Sequence, residues 1–133
     1  EGHRLTAKKD FLRAIESNLL LLKANNIATV VSLQPMLVLR NKNLLSAAEL
    51  KFLHKDSNTQ VLYPYVRSYV SDLTSKYKVP FVDLNPAFNA ANDKQKQLFI
   101  DYCHLSPQGG ELIANSLFPT IDSIFVQSRP TNN

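Results

Sequence analysis

The run of residues 27–33 constrains the fold of this chain more than any other feature. Its sequence, IATVVSL, is short, rich in β-branched side chains and almost free of polar ones. Such a run is typical of a strand covered on both faces, as in a parallel sheet. A second short strand is predicted at residues 81–84, FVDL, and a helical pattern precedes each of the two. Because strands that alternate with helices are joined by right-handed crossovers, this order predicts an α/β fold with a parallel sheet.

Three stretches have the periodicity of amphipathic helices: residues 6–25, residues 59–77 and a last stretch that begins after Ser106. In each of them apolar side chains recur at every third or fourth position, which places them on one helix face. The predicted faces are Phe11, Ile15, Leu19 and Leu22; Val61, Tyr65, Tyr69 and Leu73; and Ile113, Leu117, Ile121 and Ile124.

Capping signals predict where the helices begin. Thr6 is expected to cap the first helix, because its hydroxyl can accept a hydrogen bond from the free amides of the first turn. Ser46 and Glu49 fit a capping box, in which each side chain bonds to the other residue's backbone amide, and they predict a short helix that reaches about residue 54. Ser106 as N-cap and Pro107 at the first helical position begin the last helix.

Asparagine and proline predict where helices end or bend. Asn25 and Asn26 can end the first helix, since asparagine tolerates the left-handed conformation. Pro64 is expected in the first turn of the helix at residues 59–77, where its missing N–H costs little. Pro119 is expected to kink or split the last helix.

The remaining connections are predicted to be irregular. Pro35 stops the first strand, and residues 36–45 form a loop of mixed character. Asn85-Pro86 is a turn signal after the second strand. Residues 87–105 are expected to be mostly irregular, with one helical turn near residues 94–98, and the tail at residues 129–133 is expected to fray.

Composition and charge narrow the class of protein. With 133 residues, 44% of them hydrophobic, the chain has a length that suits one domain and enough apolar residues for a core. The number of predicted strands, only two, indicates that residues 1–133 are the C-terminal part of a single domain. It has no run of about 18 apolar residues, so no membrane span is expected. The net charge is +4 and the pI about 9.3, but the basic residues are scattered and do not alternate with aromatic ones, so no nucleic-acid partner is expected. The single cysteine, Cys103, excludes an internal disulfide.

The stretch at residues 101–114, DYCHLSPQGGELIA, has the residues best suited to chemistry. Asp101 and His104 lie three positions apart in a predicted loop that runs into the last helix. A neutral imidazole can take a proton from a serine hydroxyl during attack on an ester, and a carboxylate on its other ring nitrogen fixes the tautomer. The bare D-x-x-H spacing is also compatible with a helix-capping aspartate beside a surface histidine.

Taken whole, this stretch resembles the last conserved block of the SGNH/GDSL hydrolase family. The likeness includes Leu105, Ser106, Pro107, Ala114 and a glycine at position 109 or 110. The order of segments along the chain is also similar to that of the second half of this family. It runs from a helix through NNIATVVSLQP, a long loop, LSAAE, a second helix and VPFVDL to the DYCHLSPQGGELIA block. The resemblance covers nearly all of the chain.

The resemblance implies a three-layer α/β/α sandwich of the flavodoxin-like kind, with a mainly five-stranded parallel sheet. It implies that the complete protein is a serine hydrolase of a carboxylic ester, such as an acetyl or acyl ester of a sugar or a lipid. In that family the histidine of the block is the general base and the aspartate orients it, which implies these roles for His104 and Asp101. No cofactor or metal is implied, and a secreted or cell-envelope location is slightly favoured.

The chain departs from the family pattern where the nucleophile belongs. It has no Gly-Asp-Ser block, and Ser71-Asp72 has the reverse order and lies in a predicted helix. Residues 90–93, AAND, are only superficially similar to the family's G-x-N-D oxyanion block, because they lack the glycine and follow the second strand. Two strands alone also do not make a stable sheet. We therefore expect the nucleophile, the oxyanion donors and the other strands in the N-terminal half of the same domain, as a segment or separate chain outside this one. This chain alone is expected to be inactive.

Other polar residues have mainly structural explanations. His54 is expected at the surface and His3 near a frayed end. Asp83 ends the second strand at the sheet edge where α/β sites gather, but a structural cap is favoured. Gln34 ends the first strand and fits a structural role and a place in the cleft equally well.

Cys103 is adjacent to His104 and could be a thiol nucleophile only if it faced the imidazole. Neighbouring side chains usually point apart, so we expect that it does not. A metal site built from Asp101, His104 and a third ligand is not expected, since no further His or Cys has supporting spacing. The main alternative to an enzyme is a non-catalytic binding or interaction module on the same scaffold, because a fold does not fix function.

Overall fold

The computed structural model describes residues 2–53, 57–91 and 96–127. Within them the chain forms a mostly helical α/β structure around two short parallel strands. In chain order the elements are α1 (Gly2–Ala24), β1 (Val31–Leu33), α2 (Ala47–Leu50), α3 (Ser57–Tyr77), β2 (Phe81–Asp83), α4 (Asn85–Ala90) and α5 (Pro107–Gln127). Single 3₁₀ turns at Leu37–Leu39 and Lys42–Leu44 lie between β1 and α2.

The two strands pair in parallel, as the alternation of helices and strands predicts. Val31 lies opposite Phe81, and Leu33 lies opposite Asp83. The first strand is shorter than the predicted residues 27–33, and it is not covered on both faces: its side chains are half-buried or exposed, and Ile27 is 53% exposed. The apolar sequence predicts a strand in the interior of a sheet. Among the described residues, however, β1 has β2 as a neighbour on one edge and no strand on the other.

Both long helices that lead into strands end with a left-handed residue. Asn26 has a φ of 54° after α1, and Lys78 has a φ of 56° after α3. The next amide in each case bonds back across the helix end, from Ile27 to Leu22 and from Val79 to Thr74. This is the Schellman arrangement, so the predicted role of Asn25 and Asn26 in ending the first helix is confirmed.

Two predictions about helix starts are wrong. Thr6 is not an N-cap, because α1 begins at Gly2 and passes through it. The intervening Arg4 and Leu5 are good helix formers, which favours this extension. Pro64 lies well inside α3 and not in its first turn. Of the two effects predicted for Pro119, the split of the last helix does not occur, since α5 is continuous through this residue.

The predicted helix faces are only partly the buried ones. Leu19 and Leu73 are buried, but Phe11, Val61 and Tyr65 are each more than half exposed. In α3 the buried positions shift to the C-terminal half, where Val70, Leu73 and Thr74 are at most 5% exposed. Periodicity identifies an apolar face, but neighbouring elements decide how much of it is covered.

The hydrophobic core lies beyond the carboxyl ends of the strands. Its buried members are Leu37, Leu45, Phe88, Leu98 and Phe99. The rings of Phe88 and Phe99 are 5.2 Å apart and tilted by 55°, a favourable geometry for an aromatic pair. Burial of each ring contributes about 2 to 3 kcal/mol to folding.

The described residues of the segment 87–105 are mostly irregular, as predicted, but residues 87–90 belong to helix α4. Asn85-Pro86, interpreted as a turn signal, forms the first turn of α4, where proline fits because its missing N–H has no partner to lose. Residues 96–98 are not helical, whereas residues 94 and 95 of the predicted helical turn lie outside the described residues. Phe99 instead forms an antiparallel bridge with Leu105. The tail at residues 129–133 also lies outside the described residues.

No helix within the described ranges is both long enough and apolar enough to cross a bilayer.

Candidate active site

Asp101 organises the loop that contains His104. Its Oδ1 accepts hydrogen bonds from two consecutive backbone amides, those of Cys103 at 2.9 Å and of His104 at 2.7 Å. Aspartate favours such turns because its short side chain can bond to the backbone two residues further on. Its second oxygen, Oδ2, lies 2.7 Å from Nδ1 of His104. The two residues therefore meet as the D-x-x-H spacing predicts, and we call them the dyad.

This geometry sets the state of both groups. The hydrogen bonds from the Cys103 amide, the His104 amide and the imidazole lower the pKa of Asp101 to about 2. An ionised Asp101 accepts a hydrogen bond from Nδ1–H, so the neutral imidazole carries its hydrogen on Nδ1 and its lone pair on Nε2. Across the described part of the chain, no hydrogen-bond partner reaches Nε2.

The dyad loop (residues 100–104) is closed by backbone pairing at its base. The Ile100 amide donates to the His104 carbonyl at 2.9 Å, and the Ser106 amide donates to the Leu98 carbonyl at 3.0 Å. Ser106 also caps α5 as predicted, with its Oγ accepting from the Gly109 amide at 3.1 Å. The two ends of the loop are thus paired with each other, and its C-terminal end continues into the start of α5.

Gly109 is the glycine that the close packing of this block requires. A Cβ at Gly109 would lie 2.2 Å from the Leu98 carbonyl oxygen, whereas a Cβ at Gly110 would have nothing within 4 Å. The sequence left open which of the two positions matters. The structure assigns the close approach to Gly109.

The dyad loop lies at the carboxyl end of the sheet. The Leu37 amide donates to the Tyr102 carbonyl at 3.1 Å, and Gln34 Nε2 donates to the Cys103 carbonyl at 3.0 Å. Both donors lie within four residues after the end of β1, so the loop is attached to the strand end where α/β proteins place their sites. Gln34, for which two roles were open, thus contacts the loop itself.

The dyad is open to solvent. The His104 side chain is 68% exposed and that of Asp101 is 34% exposed. A cleft of about 420 Å³ lies elsewhere, lined by residues that precede the strands, such as Thr29 and Pro80, and by Leu19, Tyr77 and Ile124. This cleft is at the amino end of the strands, opposite to the dyad.

Asp83 has the structural role that the sequence favoured. Its carboxylate accepts hydrogen bonds from Tyr63, Arg67 and Asn85, and its side chain is only 7% exposed. Burial works to raise the pKa of Asp83, but the hydrogen bonds from Tyr63 and Asn85 outweigh it and the pKa lies below its usual value. Asn85 in turn accepts from the Met36 amide at 3.0 Å, which ties the ends of β2 and β1 together.

Cys103 corrects the expectation that its side chain points away from His104. Its Sγ lies 3.8 Å from Nδ1, because the tight turn at Asp101 brings consecutive side chains together. The thiol faces the nitrogen that Asp101 already occupies, however, and not Nε2. A hydrogen bond with Cys103 also raises the pKa of Tyr102.

Three potential metal ligands meet in this loop. One ligand atom each from Asp101, Cys103 and His104 lies within 4.8 Å of the others. A cation bound to Nδ1 would replace the hydrogen that Nδ1 donates to Asp101, so metal binding at this nitrogen and the hydrogen bond of the dyad exclude one another. The absence of a metal stays a prediction of the sequence.

Some candidates cannot be placed. His54 lies outside the described residues, as do Asn92 and Asp93 of the AAND stretch. His3 falls in α1, but its side chain is outside the description. Ser71 and Asp72 lie within α3, where the sequence placed them.

Arg40 and Glu49 are the site residues that the sequence did not reveal. They form a buried ion pair of 2.9 Å, with side chains 1% and 0% exposed. Glu49 also accepts from the amides of Leu98 and Phe99, at the base of the dyad loop. The capping box predicts the local contact of Glu49 with Ser46, which is confirmed, but no sequence signal indicates its contacts with residues about fifty positions away.

Comparison with known proteins adds no relative: no family model matches the chain, and no curated protein matches it.

Proposed function

We propose that this chain is the C-terminal part of a serine ester hydrolase of the SGNH/GDSL type. His104 acts as the general base and Asp101 orients it. The observation that supports this most is the 2.7 Å contact between Asp101 Oδ2 and His104 Nδ1, which directs the lone pair of Nε2 away from the loop. A base presented in this way can serve a hydroxyl on another segment.

The chemistry assigns one task to each group. A serine Oγ from the N-terminal half of the domain attacks the ester carbonyl while Nε2 of His104 takes its proton. The imidazolium then returns the proton to the departing alcohol, and the cycle repeats with water. Asp101, with a pKa of about 2, stays ionised throughout and stabilises the imidazolium. No cofactor or metal takes part.

The proposed whole domain is a three-layer sandwich in which this chain supplies two strands and their helices. The apolar side chains that this chain exposes are consistent with the proposal that further elements cover it. Phe118 and Phe125 on α5 are 65% and 64% exposed, and Leu21 on α1 is 62% exposed. Apolar surface of this kind commonly marks an interface. The proposed partner is the N-terminal half of the same domain, and the proposed substrate is an acetyl or acyl ester of a sugar or lipid.

One observation favours the second candidate, a non-catalytic binding module. The His104 side chain is 68% exposed, and the cleft lined by Thr29 and Pro80 lies at the opposite end of the strands. In that case the D-x-x-H turn would be only a structural start for α5. Ester turnover separates the two candidates, because a binding module has none.

The test is ester hydrolysis by the complete natural polypeptide that contains this chain. We expect His104→Ala to lower kcat by about 10³-fold or more, since removal of a triad base has effects of this size or larger. Asp122→Ala, an exposed carboxylate on α5, serves as the control and should leave kcat unchanged. Equal rates for wild type and His104→Ala would reject His104 as the base. Absence of turnover with acetyl and longer acyl esters would favour the binding module.

A further inference from the structure

Glu49 makes more contacts than its capping box requires. Within α2 it needs only the hydrogen bond from the Ser46 amide, which Oε2 accepts at 2.8 Å. Its other oxygen, Oε1, accepts from two further amides, those of Leu98 at 2.9 Å and Phe99 at 3.1 Å. The carboxylate is completely buried, so each of these bonds forms away from water.

Arg40 completes the arrangement from the other side. Its Nη1 donates to both oxygens of Glu49, its Nε donates to the Phe88 carbonyl and its Nη2 donates to the Ala91 carbonyl, all within 3.1 Å. The pair therefore joins three connections of the chain: the loop after β1, the end of α4 and the segment that leads into the dyad loop. No buried side-chain polar atom of the described residues is left without a partner.

The bonds from Glu49 reach the dyad through two residues of backbone. Leu98 and Phe99 form the base of the dyad loop, because Leu98 accepts from the Ser106 amide and Phe99 bridges to Leu105. Between these anchors, residues 100–104 form the turn that Asp101 organises by accepting from the Cys103 and His104 amides. A displacement of Leu98 and Phe99 would therefore move Asp101 and His104 together.

We propose that Arg40 and Glu49 are positioning residues that set the place of the His104–Asp101 dyad at the carboxyl end of the sheet. The expected effect on catalysis rests on the proposed function, whereas the expected effect on the position of the dyad loop does not. A buried ion pair is seldom the most stabilising choice, since well-packed apolar residues often replace one without loss. An apolar pair could not, however, hold two backbone amides in a fixed direction, and that is what Glu49 does.

A matched pair of double variants isolates this contribution. Arg40→Met/Glu49→Gln removes the ion pair but keeps an amide oxygen that can accept from Leu98 and Phe99. Arg40→Met/Glu49→Met removes the ion pair and the acceptor together. Both variants lose the Arg40 bonds to Phe88 and Ala91 and the carboxylate bond to Ser46. They differ only at position 49, where Gln keeps an acceptor oxygen for Leu98 and Phe99 and also carries an NH2 group.

The readout is hydrogen exchange at the Cys103 and His104 amides, whose own acceptor, Asp101, is unchanged in both variants. We expect these amides to exchange about tenfold faster in Arg40→Met/Glu49→Met than in Arg40→Met/Glu49→Gln, while amides in α3 such as that of Thr74 exchange equally in both. If Arg40→Met/Glu49→Met does not fold, Glu49→Asp gives the same test. It keeps the negative charge beside Arg40, but its shorter side chain no longer reaches the Leu98 and Phe99 amides. Unchanged exchange at Cys103 and His104 in whichever variant folds would overturn the proposal.

Kinetics of the complete natural polypeptide separate this inference from the proposed function. If the polypeptide hydrolyses esters, we expect kcat to be about 100-fold lower in Arg40→Met/Glu49→Met than in Arg40→Met/Glu49→Gln, with little change in KM. Misplacement of a catalytic group by about 1 Å has an effect of this size. If it hydrolyses none, the proposed function fails, and the exchange data alone decide on the positioning role. A lower kcat with unchanged exchange would contradict positioning.

Discussion

Two carboxylates in this molecule bind the backbone in the same way but in opposite surroundings. Glu49 and Asp101 each use one oxygen to accept from two consecutive amides, and each contacts a basic side chain. The side chains of Glu49 and Arg40 are 0% and 1% exposed, whereas those of Asp101 and His104 are 34% and 68% exposed.

This difference in burial separates a contact that fixes the backbone from one that keeps a reactive side chain accessible. In the buried site, water cannot replace a lost partner, so every bond of Glu49 is costly to break. In the open site, water can solvate Asp101, and one face of the imidazole stays accessible. The buried carboxylate therefore holds the chain in place, and the exposed one orients a side chain that can react.

The largest expected effect comes from breaking the buried site. Glu49→Met leaves Arg40 buried beside no carboxylate and removes the acceptor of the Leu98 and Phe99 amides. We expect a loss of about 3 to 5 kcal/mol in the free energy of unfolding, measured by urea denaturation. Arg40→Met/Glu49→Met should recover part of that loss, because no unpaired charge remains. A loss below about 1 kcal/mol for the single variant would show that the pair is not buried as described.

A smaller effect is expected where α5 meets the segment that Glu49 holds. Gly109→Ala places a Cβ 2.2 Å from the Leu98 carbonyl oxygen, which forces the backbone apart and should cost about 1 to 3 kcal/mol. Gly110→Ala is the matched control, since its Cβ meets open space, and it should stabilise the helix by about 0.5 to 1 kcal/mol. Thermal unfolding of the two variants compares them directly. Equal stabilities would contradict the close approach.

The sequence predicted the local parts of both sites and missed what joins them. The capping box of Ser46 and Glu49, the Ser106 cap and the contact of Asp101 with His104 involve residues three positions apart, so spacing and side-chain chemistry suffice to predict them. The pairing of Glu49 with the Leu98 amide spans 49 positions. Such a contact depends on how the whole chain folds, and a single sequence carries no local sign of it.

The errors in the fold have the same origin. Asn85-Pro86 fits a turn and a helix start equally, and the burial of Phe88 decides for the helix. Pro64 inside α3 costs a hydrogen bond, and tertiary packing further along the helix outweighs it. The exposure of Phe11 and Val61 could not be predicted, because periodicity shows which residues share a face and not what covers that face.

The smallest expected effect is the response of the open site to acid. The pKa of Asp101 falls from its ordinary 3.8 to about 2 in the folded loop. Its contribution to loop stability is therefore complete above about pH 4 and is lost as the pH falls toward 2. The NMR shifts of the Cys103 and His104 amides should titrate with a midpoint near 2, and Asp101→Asn should remove that titration. A midpoint near 3.8 would contradict the three hydrogen bonds to this carboxylate.

The protonation pattern of His104 tests the role of the dyad most directly. Long-range ¹H–¹⁵N NMR of this chain distinguishes the two ring nitrogens and shows which of them carries the hydrogen. In the neutral imidazole we expect a hydrogen on Nδ1, held by Asp101, and an unprotonated Nε2 available to accept a proton, with this preference weakened in Asp101→Asn. A neutral ring that carries its hydrogen on Nε2 could not serve as the proposed base and would contradict the assignment.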